Sequence, residues 1–442
     1  MQIAKTKFKS LIDRVDANFY VSRLAIIEEL HRQYKNLGEI CKFPRAKTPP
    51  RELYFKTGVP VIKLKNVTNY FLQLKDTDSI PEKHYKDFFQ PKVGDILITA
   101  TGEGTIGRVG IFENSVKCIV TAEVMIVRPE KVNPHFLFAY LRSAHGRYQL
   151  ERYARGSTGQ THLYSKDVAL IPVPQASKKT QEEVECLVKQ AHQKKKLSDE
   201  KYEEAEKNLY GLLEHKELDL KFEKSFEAGA NEVFSTMRFD SEYYQPRYKE
   251  IIEILNKSGL EVKQLKDCVL QKNRRINPTK DPSNKFIYVE IGDVDISSGE
   301  IDYKKIYGYE APPNARKKLK TGDIVISRVR PTRGAITLIS EKLDNAIGSS
   351  AFYVCQPQDE FIAEFLFLYL RSELSLTQLG RPIVGSMYPT IKDENVENLL
   401  VPVIPKSKQE KIAELVRQSF GLLKEAKQLL DEATKMVEET LK

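Results

Sequence analysis

Two long segments of the chain carry apolar residues at the spacing of amphipathic helices. In residues 405–442, two adjacent apolar rows recur every seven residues. These rows are Leu415, Leu422, Leu429 and Met436, and Val416, Leu423, Leu430 and Val437. A repeat of about 3.5 residues per turn keeps one seam pointed at a partner helix. The pattern predicts a coiled-coil helix, with an ordinary amphipathic bundle helix as the alternative.

Residues 176–214 show a weaker version of the same pattern. Their rows are Val184, Ala191, Ala205 and Leu212, and Val188, Tyr202 and Leu209. Lys195 and Ser198 interrupt the seam, which predicts less burial in the middle of this helix. Because an exposed apolar stripe is poorly soluble, we predict that the two helices pack on each other as an antiparallel coiled coil. The residues expected at this contact are Val184, Val188, Leu209, Leu212, Leu415, Leu422, Leu423, Leu429, Leu430 and Val437.

The chain also contains two copies of one sequence pattern, separated by a nearly constant offset. The matched stretches are 94–99 with 322–327, 136–143 with 365–372, 171–174 with 401–403, 181–182 with 409–410, and 14–20 with 238–244. Five ordered matches at one spacing indicate an internal duplication, and a duplicated sequence predicts a duplicated structural unit.

Each copy begins with a short helical pattern, which is followed by β-type runs that Gly and Pro interrupt. The helical positions are Leu24, Ile27, Leu30 and Tyr34 in the first copy and Tyr248, Ile251, Ile252 and Leu255 in the second. The β-type runs include 59–64 and 286–291, and the stretches 136–143 and 365–372 predict a buried helix. We therefore predict an α+β fold class with two tandem mixed α/β domains. The expected boundaries are 1–175, 176–225 for a helix and linker, 226–404, and 405–442 for the second helix.

Length, cysteine content and hydropathy restrict the class of protein. At about 150 residues per domain, the 442 residues allow two to four domains. The five cysteines are scattered and form no C-x-x-C pair, which argues against a disulfide framework and a cysteine-rich zinc site. No run approaches the ~20 apolar residues of a membrane span, and the first residues lack an apolar signal core. We expect a soluble, cytoplasmic protein.

Positive charge is concentrated in the first copy. Residues 1–175 hold 27 Lys and Arg against 17 Asp and Glu, whereas the whole chain has a net charge of +9. Almost the entire excess therefore lies in this segment. A basic domain is compatible with a polyanionic partner such as nucleic acid, although ordinary soluble domains reach the same excess.

The one cofactor-like motif is better explained as a turn. Residues 102–107 match G-x-G-x-x-G, but a dinucleotide loop must open a helix, whose N-terminus binds the pyrophosphate. Here Arg108-Val109-Gly110 continues as a strand-like run, and the second copy lacks the glycines. We therefore predict a glycine-rich β-turn.

Other signatures of catalysis are missing from the sequence. It contains no G-x-x-x-x-G-K-[ST] loop, no H-E-x-x-H, no G-x-S-x-G and no Asn- or Asp-Pro-Pro-aromatic tetrapeptide. The seven histidines show no metal-ligand spacing. We expect a non-catalytic chain that binds no metal and no cofactor.

Basic and polar loops recur in both copies and form the candidate binding surface. The guanidinium group of Arg can donate two hydrogen bonds to a phosphate or to the edge of guanine, while Gln, Ser and Thr hydrogen-bond to bases or phosphates. The candidate DNA contacts of the first copy are Arg45, Lys47, Arg51, Lys63, Thr105, Arg108, Arg155, Ser157, Thr158 and Gln160. Those of the second copy are Arg274, Arg275, Arg316, Lys317, Arg328, Arg330, Arg333, Ser386 and Tyr388. Two such surfaces on helical spacers favour DNA binding.

The arrangement resembles the specificity (S) subunit of type I restriction–modification systems over essentially the whole chain. The landmarks are Gly94-Asp95-Ile96-Leu97 and Gly322-Asp323-Ile324-Val325, the Gly156…Gln160…Leu163 element, the edges at 171–174 and 401–403, and the Gln-led helices after them. Where the family often has Glu-Gln before each helix, this chain has Thr180-Gln181 and Lys408-Gln409. Pro389 also stands where Gln160 stands in the first copy.

The resemblance implies two target-recognition domains, each reading one half of a bipartite DNA site, and helices that set the spacing and dock methyltransferase (M) subunits. It implies partners: double-stranded DNA, M subunits in two copies, and restriction/translocase (R) subunits. S-adenosylmethionine, ATP and Mg are then expected on the partner subunits. Two rival hypotheses remain at this stage. One is a coiled-coil adaptor without sequence-specific DNA binding, and the other is a standalone nuclease or methyltransferase.

Overall fold

The structure is a computed structural model that describes residues 34–75, 77–102, 105–113, 116–156, 161–213, 220, 222–385 and 387–441. The predicted helical positions Leu24, Ile27 and Leu30 lie outside the described residues, as do the candidate DNA contacts Ser157, Thr158, Gln160 and Ser386. No helix in the described ranges is both long enough and apolar enough to span a membrane.

The chain divides into two compact units, with the divisions after Lys196 and after Gly421. Unit 1 takes the chain up to Lys196 together with the segment from Leu422 onward, and unit 2 takes the chain between these two points. The division differs from the sequence-predicted boundaries because it cuts both long helices instead of leaving them as separate segments. Each unit therefore contains one half of each helix.

In the residues that the structure describes, unit 1 combines short strands with short helices. Its strands are β1 (Tyr34–Asn36), β2 (Cys41–Lys42), β3 (Val59–Ile62), β4 (Ser79–Ile80), β5 (Ile96–Thr99), β6 (Val109–Ile111), β7 (Ile119–Val120), β8 (Val124–Pro129) and β9 (Pro172–Pro174). Its helices are α1 (Leu37–Ile40), α2 (Pro134–Arg142), α3 (Ala144–Tyr153) and α4 (Ser165–Val168). The long helix α5 (Lys178–Leu212) begins in this unit and ends in unit 2.

Unit 2 repeats this order with small additions. Its helices are α6 (Ala230–Thr236), α7 (Arg247–Lys257), α8 (Leu265–Cys268), α9 (Ala363–Arg371), α10 (Glu373–Gly380) and α11 (Asp393–Glu397). Its strands are β10 (Val262–Gln264), β11 (Val269–Gln271), β12 (Lys285–Val289), β13 (Lys304–Tyr307), β14 (Ala315–Lys318), β15 (Ile324–Ser327), β16 (Ile336–Leu338), β17 (Ile347–Ser349), β18 (Phe352–Pro357) and β19 (Leu400–Pro402). The second long helix, α12 (Lys406–Glu439), begins here and ends in unit 1.

The sheets of the two units have the same strand order. A four-stranded antiparallel sheet runs β2-β8-β5-β6 in unit 1 and β11-β18-β15-β16 in unit 2. Even the register agrees, since Ile96 lies opposite Val127 and the equivalent Ile324 lies opposite Cys355. A second sheet runs β4-β3-β7 in unit 1 and β13-β12-β17 in unit 2, where the further strand β14 is added at its edge. This correspondence confirms the predicted duplication and the mixed α/β class of each copy.

A buried helix packs against the four-stranded sheet in each unit, as the sequence predicted. Residues 136–141 of α2 and 365–370 of α9 are all buried. Tyr140 donates a hydrogen bond to the carbonyl of Pro172 over 2.5 Å, and Tyr369 donates one to Leu400 over the same distance. These bonds attach the buried helix to the strand that precedes each long helix.

The two long helices run antiparallel where they pack. In unit 1, Lys194 forms an ion pair with Glu425 at 2.7 Å, and in unit 2 Ser198 Oγ lies 3.0 Å from Ser419 Oγ. Val184 and Val188 share the unit 1 core with Leu423, Leu430 and Val437. Leu209 shares the unit 2 core with Leu415. Three further residues expected at the contact, Leu212, Leu422 and Leu429, are only half-buried.

Two sequence expectations about these helices and their surroundings are wrong. Ser198 was expected to loosen the seam, but its side chain is buried because its hydroxyl also donates to the carbonyl of Ser419 over 2.8 Å. Tyr34 was expected in a helix, but it pairs with Pro174 in the β1–β9 ribbon. The apolar positions of the second copy do form a helix, α7, although Ile252 faces solvent.

The glycine-rich motif is a turn, as expected. It lies between the antiparallel strands β5 and β6, with Gly102 at φ +104° and Gly107 at φ +79°. These left-handed backbone angles are favourable for Gly, since a Cβ atom would be strained there. The turn continues into strand β6, so it does not present a helix N-terminus to a phosphate.

Candidate nucleic-acid interface

The same two loops meet at one edge of each unit. In unit 1, the loop after β5 pairs with the loop before α4, since Thr101 and Arg155 both pair with His162. In unit 2, Val329 and Val384 both pair with Thr390. We call these the loop edges: the described residues of 100–108 and 155–163 in unit 1, and of 328–334 and 383–391 in unit 2. In each loop edge, a turn between two strands lies beside one of the polar loops that the sequence analysis identified as candidate binding loops.

The loop edge of unit 2 presents an arginine and a tyrosine to solvent. Arg330 has a left-handed backbone at φ +48°, which is uncommon for a residue with a Cβ atom, and its N–H bonds to Pro389 over 2.7 Å. Its guanidinium lies 5.7 Å from the ring centre of Tyr388, whose exposed fraction is 68%. Arg333 is exposed on the same turn. A guanidinium stacked on an exposed ring can donate to phosphates while the ring packs on a base or sugar.

Lys317 lies beside this edge in an electropositive setting. Its strand β14 pairs at Lys317 with Arg275, which is exposed. Burial lowers the pKa of Lys317 below its usual value, and the charges of Arg328 and Arg275 lower it further, while Asp393 opposes them. A phosphate at this position would stabilise the protonated amine. Arg316, on the same strand, is exposed and donates to the carbonyl of Pro313 over 2.8 Å.

Three of the candidate arginines form ion pairs inside their own unit. Arg155 pairs with Asp167 at 2.5 Å, Arg328 pairs with Asp393 at 2.9 Å, and Arg274 pairs with Asp323. The carboxylates lie on the scaffold, so these pairs hold the loops in place. The charge of each of these arginines is already compensated, and their contact with DNA stays a prediction.

The remaining candidates of unit 1 lie on two surfaces. Arg45, Lys47 and Arg51 are exposed after β2. Their loop is held by Thr48, whose hydroxyl accepts from the N–H of Ala122 over 3.1 Å. None of the three forms an ion pair with a residue that the structure describes. Thr105 and Arg108 are half-buried on the turn of the loop edge, where the Thr105 carbonyl accepts from the hydroxyl of Thr99.

Lys63 is less available than its neighbours. Its amine lies 2.9 Å from Asp78 and 3.6 Å from the ring centre of Tyr54. The hydrogen bond from Lys63 lowers the pKa of the Asp78 carboxyl. Contact of Lys63 with DNA would therefore require an exchange of partners.

The carboxylate of each repeated Gly-Asp stretch is a structural residue that the sequence marked without assigning a role. Asp95 is buried, accepts from the N–H of Lys92 over 2.8 Å and binds Arg128 through Nε at 2.7 Å. Asp323 is also buried and accepts from the N–H of Lys320 over 2.7 Å and from Arg274. The repeated Gly-Asp motif could have identified the two acids from the sequence. It could not have identified their arginine partners, because these come from different sequence positions in the two copies.

The glutamine at the start of each long helix makes an equivalent contact in both units. Gln181 accepts from the N–H of Asn133, next to α2, over 3.2 Å, and donates to Ala176 over 3.0 Å. Gln409 accepts from the N–H of Ile362, next to α9, over 2.9 Å, and donates to Ile404 over 2.7 Å. In each unit the N-terminal end of the buried helix is thus bound to the long helix that follows it in sequence.

In the parts of the chain that the structure describes, no group of three or more His, Cys, Asp or Glu side chains could hold a metal ion.

Several known proteins are similar to all or part of this chain. A segment of 138 residues, 30% of this chain, is 30% identical to the Type I restriction enzyme HindI specificity subunit of Haemophilus influenzae. That segment spans 27% of the Haemophilus protein. The crystal structure of an HsdS subunit from Thermoanaerobacter tengcongensis matches 40% of this chain and 46% of its own, with 34% identity and a TM-score of 0.34. The S subunit of a type I restriction–modification system from M. genitalium matches 92% of this chain and 94% of its own, with 14% identity and a TM-score of 0.39.

The family model for the type I restriction modification DNA specificity domain matches this chain twice. The matches cover residues 31–207 and 257–433. Each match contains most of one copy of the duplicated sequence and most of the long helix that follows it. Together they cover most of the chain, and this chain therefore belongs to the family of type I restriction–modification DNA specificity domains.

Proposed function

We propose that this chain is the DNA-specificity subunit of a type I restriction–modification complex. Each unit reads one half of a bipartite DNA target through its loop edge. The two long helices set the spacing between the halves and dock the methyltransferase subunits.

The observation that carries this proposal is the duplicated loop edge with unlike side chains. The backbone pairing of the edge is equivalent in both units: Thr101 pairs with His162 in unit 1, and Val329 pairs with Thr390 in unit 2. The residues displayed there differ, with Arg330 and Tyr388 on unit 2 and Arg108 and Thr105 on unit 1. A common scaffold with different contact residues is what two half-sites of different base sequence require, because base edges are told apart by the donors and acceptors that meet them.

The long helices support the spacing role by their length. Helix α5 has 35 residues and α12 has 34. At 1.5 Å per residue each is roughly 50 Å long, close to fifteen base pairs at ~3.4 Å per pair. Two readers on one chain gain specificity because the second binds at a high effective concentration once the first is in place.

In this proposal, the partner subunits carry out the catalysis. The M subunits would bind S-adenosylmethionine and methylate the target, and R subunits would use ATP and Mg. The contribution of this chain is sequence recognition and positioning of those subunits on DNA.

The direct test is to co-express the chain with the methyltransferase subunit of its own system and to sequence the methylated positions. We expect methylation at a two-part target with a fixed number of unspecified base pairs between its halves. Methylation at a single uninterrupted site, or at unrelated sequences, would contradict the proposal.

A gel shift at two salt concentrations separates this proposal from the coiled-coil adaptor. Phosphate contacts release counterions, so the affinity for DNA should fall by about 10³-fold or more between 50 and 200 mM salt if six or more phosphates are neutralised. An adaptor that recognises only protein would show no DNA complex at either concentration.

A further inference from the structure

The buried helix of each unit ends in an arginine, and the two arginines are repeat counterparts. Helix α2 ends at Arg142 and helix α9 ends at Arg371. Both belong to the duplicated Tyr-Leu-Arg-Ser stretch, at 140–143 and 369–372. In each unit the guanidinium reaches from the buried helix to a loop of the recognition domain and to a long helix.

Arg371 uses all five of its N–H donors. Nε donates to the hydroxyl of Tyr202 over 3.0 Å. Nη1 donates to the carbonyls of Gly334 and Ile336 over 3.2 and 3.1 Å. Nη2 donates to the carbonyls of Ile296 and Ser297 over 2.9 and 2.8 Å. Because a guanidinium has five donors in a rigid fork and a lysine has three on one rotating group, only arginine can make this set of bonds.

These five bonds join three parts of unit 2. Tyr202 lies on α5, and Gly334 and Ile336 lie where the basic turn of the loop edge returns to the sheet. Ile296 and Ser297 lie in the loop between β12 and β13. Gly299 in that loop has φ +75°, and a Cβ atom there would lie 2.6 Å from the ring of Phe367 and 3.0 Å from Arg371 Nη1. The loop is therefore shaped around the arginine.

Arg142 makes the equivalent connection in unit 1 with different chemistry. Its guanidinium lies over the rings of Tyr70 and Phe138, at 4.8 and 5.3 Å, and only 10% of its side chain is exposed. Nη2 lies 3.8 Å from Asp431 Oδ1 on α12, and the hydroxyl of Tyr70 donates to Asp431 Oδ2 over 3.5 Å. Asp431 directly follows Leu430, which is the repeat counterpart of Tyr202 at the offset that Gln181 and Gln409 define, so the two arginines reach neighbouring positions of the two long helices.

Both arginines hold the helix that belongs to the other repeat. Helix α5 follows the first copy in sequence, yet its Tyr202 is bound to Arg371 of the second. Helix α12 follows the second copy, yet its Asp431 is bound to Arg142 of the first. The glutamine contacts bind each domain to the long helix that follows it in sequence. They lie at the N-terminal end of the buried helix, whereas the arginines lie at its C-terminal end. Every recognition domain is thus attached at two points to two different helices.

We propose that Arg142 and Arg371 are positioning residues that lock each recognition domain onto the helix of the other repeat, and that this lock makes the subunit reject targets whose spacer differs by one base pair. The inference rests on the proposed function. One added base pair turns a half-site by about 35° around the duplex. A domain held at both ends of its buried helix cannot follow that rotation without breaking a bond, whereas a domain held only by its glutamine can pivot.

The test compares spacer discrimination in the complex of the full chain with its methyltransferase subunits. The target is first defined by sequencing methylated positions in the unaltered complex. Affinities are then measured for a duplex with the natural spacer and for one with a single added base pair. Three variants are compared. Tyr202→Phe removes only the hydroxyl that accepts from Arg371, and Asp431→Asn removes only the charge facing Arg142. The third variant is Arg371→Lys. Tyr303→Phe is the matched control, because it removes a hydroxyl from unit 2 outside the long helices.

We expect the ratio of the two affinities to fall by about threefold to tenfold in Tyr202→Phe and Asp431→Asn, and further in Arg371→Lys. Discrimination against a base change inside either half-site should stay within about twofold of the unaltered complex. A purely structural loss would reduce the folded fraction and weaken binding to both duplexes equally, so it would leave the ratio unchanged.

Two results would overturn the inference. A bipartite target with an unchanged spacer ratio in Tyr202→Phe and Asp431→Asn would reject the lock while leaving the proposed function intact. An unaltered complex that recognises no two-part target would reject the proposed function, and the lock with it.

Discussion

The two units place carboxylates at the same positions of their scaffold but neutralise them with arginines from different places. Asp95 and Asp323 are counterparts, yet Asp95 binds Arg128 at the end of the sheet strand β8, whereas Asp323 binds Arg274 in the loop after β11. Asp167 and Asp393 lie on the corresponding short helices α4 and α11, at different positions of those helices, and they bind Arg155 and Arg328 from opposite sides of the loop edge.

This difference shows which part of each unit is constrained. A buried carboxylate must be paired, since an unpaired buried charge is strongly destabilising. The pairing does not require that the arginine come from one strand or loop, provided that a guanidinium arrives with the right geometry. The loops are therefore free to change sequence as long as one arginine reaches each acid.

The largest effect is expected from removing an acid in one unit only. Asp323→Asn leaves Arg274 without its anion and should reduce the free energy of unfolding by about 3 kcal/mol. Hydrogen exchange, followed separately in peptides of the two units, should show lost protection in unit 2 and little change in unit 1. Asp281→Asn, at an exposed position of unit 2, is the control. Equal loss of protection in both units would contradict the local role of the pair.

The second comparison concerns the loss of folding stability in acid, which we expect in unit 1. His192 packs against the ring of Phe71, and burial lowers the pKa of His192 from 6.5 to about 4. The repeat counterpart in unit 2 is Phe420, whose side chain does not titrate. Between these two pH values the unfolded chain binds a proton that the folded unit does not. The free energy of unfolding should therefore fall as the pH drops through this window, by at most about 3 kcal/mol.

Hydrogen exchange at pH 7 and pH 4.5 measures this effect. Unit 1 should lose protection on acidification through His192, and His192→Gln should reduce that loss. His84→Gln, which alters a histidine on a surface turn, should not. An unchanged pH response in His192→Gln would show that other groups control acid stability.

The smallest effect concerns the seam between the long helices. In unit 2 the buried hydroxyls of Ser198 and Ser419 meet, whereas their counterparts in unit 1 are the buried Ala426 and Ala191, which have no hydroxyl. Ser198→Ala should reduce the free energy of unfolding by about 1 kcal/mol, because it leaves Ser419 without its partner. Ser198→Ala combined with Ser419→Ala should restore most of the loss, and denaturant unfolding of the two variants measures it. Additive losses would show that the hydroxyls act independently.

Much of the fold could be predicted because it follows from periodic patterns. The seven-residue repeat from Leu415 onward marked α12, and the apolar stretch around Phe136 marked the buried helix α2. The duplication also told us that the second copy would repeat the first, which the sheet orders confirm.

What could not be predicted depends on tertiary proximity. Ser198 interrupts the apolar pattern, and only the opposite Ser419 explains why it can be buried. Arg155, Arg274 and Arg328 remain predicted DNA contacts, but their carboxylate partners were not predicted, because no local pattern reveals a partner that comes from a different element of the chain. The roles of Arg142 and Arg371 were likewise hidden in a repeated motif that could be seen but not interpreted.

The central claim is that each unit reads its own half of the target, and one measurement tests it most directly. Arg330→Ala and Tyr388→Ala each change the loop edge of unit 2 alone, and their methylated positions can be sequenced beside those of the unaltered complex. The account predicts relaxed base preference in one half-site, corresponding to about 1–3 kcal/mol of lost discrimination, with the other half and the spacer unchanged. Base preference that relaxes equally in both halves, or in neither, would contradict it.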